Sequence, residues 1–192
     1  MTTITRLLIA GGLMISATAA SAHSGHDASD SFTSGLLHPM LGLDHLLAMV
    51  AIGFWSVRQT ATLKNSTPLF VVGGMILGAV IAWGGFSLPA VENGITLSVI
   101  LAGVLVAAMT TLPTAVGGSL VAIFMVFHGF AHGAEMPTGA ALMSYLAGFT
   151  VATLALTLAG RGLGALIHKM DKRYGVVFGG VVAATGAMLA AG

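Results

Sequence analysis

The chain has no cysteine and very little charge, since only 7% of its 192 residues are Asp, Glu, Lys or Arg. The lack of cysteine excludes disulfide bonds, thiolate metal ligands and cysteine nucleophiles. The shortage of charge excludes an ordinary soluble domain, in which about 25% of residues are charged. A formal net charge of +1 gives no electrostatic basis for binding nucleic acid. What remains is 56% hydrophobic, with a mean hydropathy of +0.98, and we expect membrane lipid to cover most of its surface.

Residues 1–22 have the pattern of a cleavable export signal. Arg6 supplies the positive charge, LLIAGGLMI forms a short apolar core, and ATAASA ends in the small residues Ala20, Ser21 and Ala22. The apolar core is too short to cross a bilayer comfortably, which disfavours an uncleaved first span. Cleavage after Ala22 would make His23 the mature N-terminus, exported from the cytoplasm.

The rest of the chain predicts one all-α membrane domain. A polar tail at 23–34 precedes a six-helix transmembrane bundle over 35–192, in which each apolar segment is close to the ~20 residues of a bilayer crossing. The predicted helices lie at roughly 35–57, 68–87, 94–111, 115–135, 138–160 and 174–191. Four prolines near their ends fit helix starts and breaks, namely Pro68, Pro89, Pro113 and Pro137.

The 27 glycines indicate close helix packing, because small residues let transmembrane helices approach each other. Gly74 and Gly78 stand one turn apart in GMILG, and Gly175 and Gly179 have the same spacing. We expect both pairs to pack helices of the same chain against one another. No oligomeric state is predicted.

The positive charges predict the orientation in the membrane. A periplasmic mature N-terminus makes odd-numbered spans run inward, so the inner loops are 58–67, 111–114 and 161–173. Cytoplasmic loops carry an excess of Lys and Arg. These loops hold every such residue of the mature chain: Arg58, Lys64, Arg161, Lys169, Lys172 and Arg173. We therefore predict a bacterial inner-membrane protein with both termini periplasmic, and His168 on its cytoplasmic surface.

Histidines and acids concentrate in two short stretches of otherwise apolar sequence. In the predicted orientation, both stretches lie in the outer halves of their helices. A charged group costs roughly 2.5–3.5 kcal/mol at the centre of a membrane, so their collection at one depth predicts a shared functional site. Its members are His38, Asp44 and His45 in LLHPMLGLDH, and His128, His132 and Glu135 in FHGFAHGAE.

The stretch FHGFAHGAE has the geometry of a metal-binding helix. On an ideal helix, His128, His132 and Glu135 fall within a wedge of roughly 60°, so that they face one direction. Histidines at positions i and i+4 can chelate one ion. Glu135 could ligate the ion or accept the hydrogen bond that orients an imidazole.

The first stretch has different geometry. On a rigid helix, His38 and His45 stand about 10.5 Å apart along the axis, and Asp44 points about 100° away from His45. Pro39 and Gly42 lie between the histidines and could loosen these turns. Two arrangements are open: a bent segment that closes on one ion, or two successive stations along a path.

The donor types favour a borderline divalent cation. Imidazole and carboxylate without thiolate suit nickel, cobalt, zinc or copper(II), and match magnesium or calcium poorly. Methionine in an apolar helix usually serves packing, but thioethers favour copper(I). A copper or zinc importer is therefore the alternative, in view of four methionines near the clusters: Met40, Met49, Met125 and Met136.

The mature N-terminus, HSGHD, offers further donors. Its free amine together with His23, His26 and Asp27 could collect metal at the mouth of a pore. The alternative is a disordered tail that binds metal only incidentally.

The two stretches resemble the motifs of the HupE/UreJ family. His38 with Asp44-His45 matches H-x5-D-H, and FHGFAHGAE matches F-H-G-x-A-H-G-x-E. The export signal, the length and the predicted helix count match as well, so the resemblance covers essentially the whole chain. It implies a nickel or cobalt permease that supplies hydrogenase or urease, with a cytoplasmic metallochaperone as a candidate partner. It also implies that the histidines and acids of the two motifs are the functional positions.

The expected mechanism is import of a hydrated ion that exchanges its waters for imidazole and carboxylate. The sequence has no G-x-x-x-x-G-K-[ST] motif for ATP, and an inside-negative potential of 100 mV supplies about 4.6 kcal/mol to a divalent ion. Proton coupling through Asp44 or Glu135 is the second possibility. Ligand histidines must be neutral, so we expect uptake to fall as they become protonated. No prosthetic group is expected.

Two further classes of protein could use the same residues. A membrane cytochrome would use the histidines as axial haem ligands, but haem ligation does not need Asp44 or Glu135. An intramembrane metalloenzyme would need a general base, and the sequence has neither H-E-x-x-H nor a separate candidate base. We therefore do not expect an enzyme.

Overall fold

The computed structural model describes residues 28–137, 140–169 and 171–191. Within these ranges it contains helices and no strand, which confirms the all-α prediction. The helices are α1 (Ala28–Leu41), α2 (Leu43–Ser56), α3 (Ala61–Trp83), α4 (Val91–Ala107), α5 (Thr114–Ala134), α6 (Leu142–His168) and α7 (Lys172–Ala190). The predicted export signal and the tail residues His23, His26 and Asp27 lie outside the described residues.

The helices have the length and composition of a multi-pass membrane protein. Four of them, α3, α5, α6 and α7, are long and apolar enough to cross a membrane, and α1 with α2 would count as a fifth span bent by 78°. The remaining helix, α4, is apolar but only 17 residues long. Large apolar side chains such as Leu69, Met143 and Met188 are 71–74% exposed on the outside of the bundle, where lipid would cover them.

The second predicted span begins earlier than the sequence indicated. Pro68 was predicted near a helix start, but it lies inside α3, which begins at Ala61 because the Thr60 hydroxyl accepts a bond from the backbone N–H of Leu63. Proline has no N–H, so the carbonyl of Lys64 loses its usual helical partner. The Arg161 guanidinium donates to that carbonyl at 3.3 Å and replaces the missing bond.

Two other boundaries differ from prediction. The first span is two helices, because the chain leaves the helical path at Gly42. The fifth predicted helix, expected to end near 160, continues to His168, so Arg161 lies within it and His168 ends it. The next helix follows almost at once, because the Asp171 carboxylate accepts a bond from the backbone N–H of Arg173 at 2.9 Å and caps α7.

Glycines bring the helices into backbone contact. A methyl group added at Gly78 would overlap the carbonyl of Val126 on α5, and one added at Gly74 would lie 2.6 Å from the Ala122 carbonyl oxygen. The predicted packing role of this pair is therefore confirmed. Gly179 meets α4 in the same way, but Gly175 does not, since its nearest neighbour is the Phe54 ring at 3.8 Å.

The bundle is built from four main helix pairings. α3 packs along α5, α4 packs along α7, and α6 packs on both α1 and α2. Two indole bonds fix opposite ends of this arrangement. Trp83 donates to the carbonyl of Gly133 at 3.0 Å, and Trp55 donates to the carbonyl of Thr110 at 2.8 Å. The end marked by Trp83 and Gly133 holds the four histidines of the two motif stretches.

Candidate metal centre

The break at Gly42 determines where the first two histidines lie. Gly42 has φ −80° and ψ 114°, which is extended backbone, and the helices on either side meet at 78°. The ring centroid of His38 consequently lies 4.8 Å from that of His132, and the ring of His45 lies 4.3 Å from the same ring. The expected loosening of these turns is therefore present as a bend at Gly42.

The helix α5 supplies the other two histidines, one turn apart on its inner face. His128 and His132 are both fully buried. The ring of His45 meets His128 edge to face at 4.5 Å, so His45 touches both histidines of α5. The structure therefore brings together four histidines that the sequence places on two separate stretches.

Both acids accept hydrogen bonds from histidines. Glu135 ends α5, and its Oε2 lies 2.8 Å from His38 Nε2 on α1. Asp44 Oδ1 lies 2.8 Å from His45 Nδ1 and also accepts a bond from the His45 backbone N–H at 2.7 Å. The expected divergence of Asp44 from His45 is therefore wrong, because Asp44 opens α2 and its carboxylate folds back over the next residue.

A fourth helix contributes a residue that the sequence did not single out. Ser98 of α4 is fully buried, and its Oγ lies 2.7 Å from His128 Nε2. Serine hydroxyls in helices commonly bond the carbonyl three or four residues back. A lone serine in the apolar run ITLSVIL therefore does not indicate a contact with the metal site. Only the packing of α4 against α5 reveals its partner.

Four ring nitrogens in this group are buried without a hydrogen-bond partner. They belong to three histidines that touch one another, and buried polar atoms are otherwise almost always paired. They are His45 Nε2, His128 Nδ1, and both Nδ1 and Nε2 of His132.

The group is graded from exposed to buried. The side chain of Glu135 is 56% exposed and that of His38 33%, whereas Asp44 and His45 are 25% and 9% exposed. These residues line a surface pocket of about 360 Å³. His128 and His132 lie beyond it, sealed from solvent. The site therefore has an open mouth and a closed inner end.

Aromatic residues of α6 form one wall of the inner end. The ring of Phe149 stacks on His132, with the centroids 5.6 Å apart and the planes at 15°. The Tyr145 hydroxyl donates to the carbonyl of His132 at 3.3 Å. These contacts exclude water from one side of His132.

As the side chains stand, no group of three or more His, Asp or Glu within the described ranges is arranged to hold a metal ion. The rings meet edge to face, and several nitrogens are engaged with Asp44, Glu135 and Ser98. The donors are collected, but they do not converge on one point.

A family model described as HupE / UreJ protein matches residues 11–189. The chain belongs to the HupE/UreJ family. It is also 42% identical over 174 residues to Protein HupE of Rhizobium leguminosarum bv. viciae, a match that covers 90% of this chain and 91% of that relative. No solved structure matches. The suggested family is thus confirmed, and all the histidines and acids of the two stretches lie within the matched region.

Proposed function

We propose that this HupE/UreJ protein imports a divalent transition-metal ion across the bacterial inner membrane, with Ni²⁺ as the first candidate and Co²⁺ as the second. The observation that carries the proposal is the set of unpaired ring nitrogens on His45, His128 and His132. Neutral imidazole nitrogens without thiolate are ligands that suit nickel and its neighbours. Family membership supports nickel, because the family is associated with nickel supply to hydrogenase or urease.

The change from exposed to buried residues across the site suggests that different residues bind the ion at successive steps. His38 and Glu135 meet the incoming ion at the open pocket, where both are accessible. His45, His128 and His132 then bind it at the closed end. Asp44 orients His45 by accepting its Nδ1 proton, as a carboxylate does behind many metal-bound histidines.

Binding requires the side chains to turn. Rings that meet edge to face at 4.3–4.8 Å must rotate about their side-chain bonds before their nitrogens can point at a common ion. Only His132 can turn without breaking a hydrogen bond, since neither of its ring nitrogens has a partner. His38, His45 and His128 are each held through one nitrogen, by Glu135, Asp44 and Ser98 respectively.

The bundle would cross the membrane six times, with α1 and α2 as one broken span and α4 as a short one. Residues 1–22 would be removed on export, and His23, His26 and Asp27 would form a periplasmic tail. The tail was expected to reach residue 34, but residues 28–34 belong to α1, which packs on α6. The permease domain would therefore begin at Ala28, with both termini periplasmic. This orientation is supported by the basic residues, which lie at the end of the bundle opposite the four histidines of the motif stretches. There, Arg161 bonds the Asn65 side chain and Arg58 bonds His168.

The route inward from the histidines is closed. Met49 and Met125 lie one helical turn inward of His45 and His128, and both are fully buried in the apolar core. Transport therefore needs a helix movement that opens this layer, and the membrane potential suffices as a driving force, at about 4.6 kcal/mol for a divalent ion and 100 mV. The recipient would be a metallochaperone of hydrogenase or urease maturation.

Uptake of radiolabelled nickel into cells tests the proposal. We expect His132→Ala to reduce uptake to the level of cells without the protein. The reason is that His132 contacts both His38 and His45 and has two unpaired ring nitrogens. The matched control is His168→Ala, an exposed histidine at the opposite end, which should transport normally. Equal uptake by wild type and His132→Ala would remove His132 from the path, and competition by cobalt, copper and zinc would rank the ions.

A further inference from the structure

Ser98 makes two hydrogen bonds through one oxygen. Its Oγ lies 2.6 Å from the carbonyl oxygen of Ile95, one turn back on α4, and 2.7 Å from His128 Nε2. A carbonyl oxygen can only accept, and a serine hydroxyl has a single proton to give. The Ser98 proton therefore goes to Ile95.

The position of that proton decides the tautomer of His128. With its own proton committed, the Ser98 oxygen can only accept from the histidine, so His128 Nε2 must carry a hydrogen. A neutral imidazole carries one ring proton. Nδ1 of His128 is consequently a bare lone pair, and it is also the nitrogen that is buried without a partner.

We propose that Ser98 is a positioning residue for the metal site, one that sets the tautomer of His128 and makes Nδ1 the ligand. The inference rests on the proposed function and adds a fourth helix, α4, to a site otherwise built from α1, α2 and α5. Asp44 sets the tautomer of His45 in the same way but at the other nitrogen. Its carboxylate accepts the proton of Nδ1, which leaves Nε2 unprotonated and without a partner. The two histidines thus bind through different nitrogens.

His128 is bonded by the hydroxyl of Ser98, whereas His45 is bonded by the carboxylate of Asp44, and this difference affects how strongly each histidine binds a metal ion. A carboxylate partner increases the basicity of a ligand imidazole more than a neutral hydroxyl does. His128, the more deeply buried of the two, is therefore the weaker ligand. A transported ion must leave as well as bind, and a weaker inner ligand favours release toward the interior.

The tautomer can be read directly by NMR of detergent-solubilised full-length protein labelled with ¹⁵N-histidine. Protonated and unprotonated ring nitrogens have well-separated ¹⁵N shifts, and the His128 signals are identified by their loss in His128→Gln. We expect His128 to be protonated at Nε2 in wild type, and Ser98→Ala to show a substantial fraction protonated at Nδ1. A wild-type His128 protonated at Nδ1 would overturn the proposal.

Nickel affinity supplies the second measurement, by equilibrium dialysis of the same samples against nickel chloride. We expect Ser98→Ala to weaken binding about 10- to 100-fold, the usual effect of losing a partner behind a ligand histidine. The matched control is Thr96→Ala on the same helix, whose hydroxyl also donates to a carbonyl one turn back but touches no histidine. It should bind as wild type does.

The outcomes separate this inference from the proposed function. If Ser98→Ala binds nickel as tightly as wild type while wild type binds well, Ser98 does not position a ligand and the inference fails alone. If wild type binds no nickel, the proposed function fails, and the NMR spectrum still decides whether Ser98 sets the tautomer. Elution at the wild-type position in gel filtration establishes that the Ser98→Ala protein is folded.

Discussion

Each ionisable residue of the site has an identifiable task at the scale of single atoms. The Asp44 carboxylate is hydrogen-bonded to Nδ1 of His45, and the Glu135 carboxylate is hydrogen-bonded to Nε2 of His38. Neither acid is placed where it must be a direct ligand. The unpaired nitrogens all belong to the buried histidines. In the proposed site the carboxylates are partners that orient imidazoles, and Glu135, which is exposed, also meets the incoming ion.

Asp44→Asn tests this division. The amide can still accept the backbone N–H of His45, so α2 should start normally, but it lacks the negative charge that orients the ring. We expect nickel affinity to fall about 10-fold, measured by equilibrium dialysis, with the melting temperature little changed. Asp171→Asn is the control, because Asp171 caps α7 at the other end of the bundle. Unchanged affinity in Asp44→Asn would show that Asp44 has no orienting role.

At the scale of elements, the break between α1 and α2 converts distant positions into neighbours. A continuous helix would hold His38 and His45 about 10.5 Å apart along its axis. The turn at Gly42 instead lets both reach His132. A helical break at membrane depth is tolerated where the backbone is buried in protein or lines a wet cavity. Gly42 lines the pocket that leads to the histidines.

Gly42→Ala should disturb the site without unfolding the protein. The added Cβ would lie 2.9 Å from Asp44 Oδ1 and 3.1 Å from His45 Nδ1, the two atoms that bond each other. Because these are movable side-chain atoms, we expect a stability change of less than about 1 kcal/mol but a clear loss of nickel uptake. Gly162→Ala is the control, since a methyl there meets open space. Normal uptake by Gly42→Ala would mean that this orientation is unimportant.

The pairing of α3 with α5 depends on a different glycine. A methyl group at Gly129 would overlap the backbone of Met75, which cannot move aside as a side chain can. The helices must then separate, and the adjacent His128 moves with them.

We expect Gly129→Ala to lower stability by about 1–3 kcal/mol, as overpacking of a tight contact does, seen as an earlier thermal transition in detergent. Gly73→Ala, on α3 but facing open space, should be neutral or slightly stabilising, because alanine favours helix. Equal melting of the two variants would argue that α3 and α5 are not held by this contact.

At the scale of the whole molecule, the ionisable residues are distributed unevenly between the two ends of the bundle. The four histidines of the two motif stretches and the acids Asp44 and Glu135 lie at one end. The lysines and arginines of the described residues lie with His168 at the other, where Arg161 reaches Asn65 and the carbonyl of Lys64. This distribution supports entry of cations at the histidine end and a cytoplasmic position for the basic end.

The absence of cysteine makes the orientation directly testable, because any introduced thiol is the only one. We expect Ser87→Cys, in the exposed link between α3 and α4, to react with a membrane-impermeant maleimide on intact cells. Lys169→Cys, between α6 and α7, should react only after the cells are permeabilised. The reverse pattern would invert the proposed topology.

The sequence by itself determined the chemical class of this protein. Scarcity of charge, apolar segments and the two motif stretches are properties of neighbouring residues, and they led to a helical membrane protein, to its family and to the candidate residues. The ends of the helices were harder to predict from the sequence, because Thr60 and Asp171 act as caps only in the folded backbone. A proline inside α3 likewise became tolerable through a bond from α6.

Only the tertiary structure decided how the residues combine. The contact of His38 with Glu135 joins positions 97 residues apart, and that of Ser98 with His128 joins positions 30 apart. Neither follows from helical periodicity, because periodicity relates residues within one helix and is silent about which helices pack together. The bend at Gly42 and the approach of α4 to α5 turn two local motifs into one group of imidazoles, and they select which nitrogens are left for an ion.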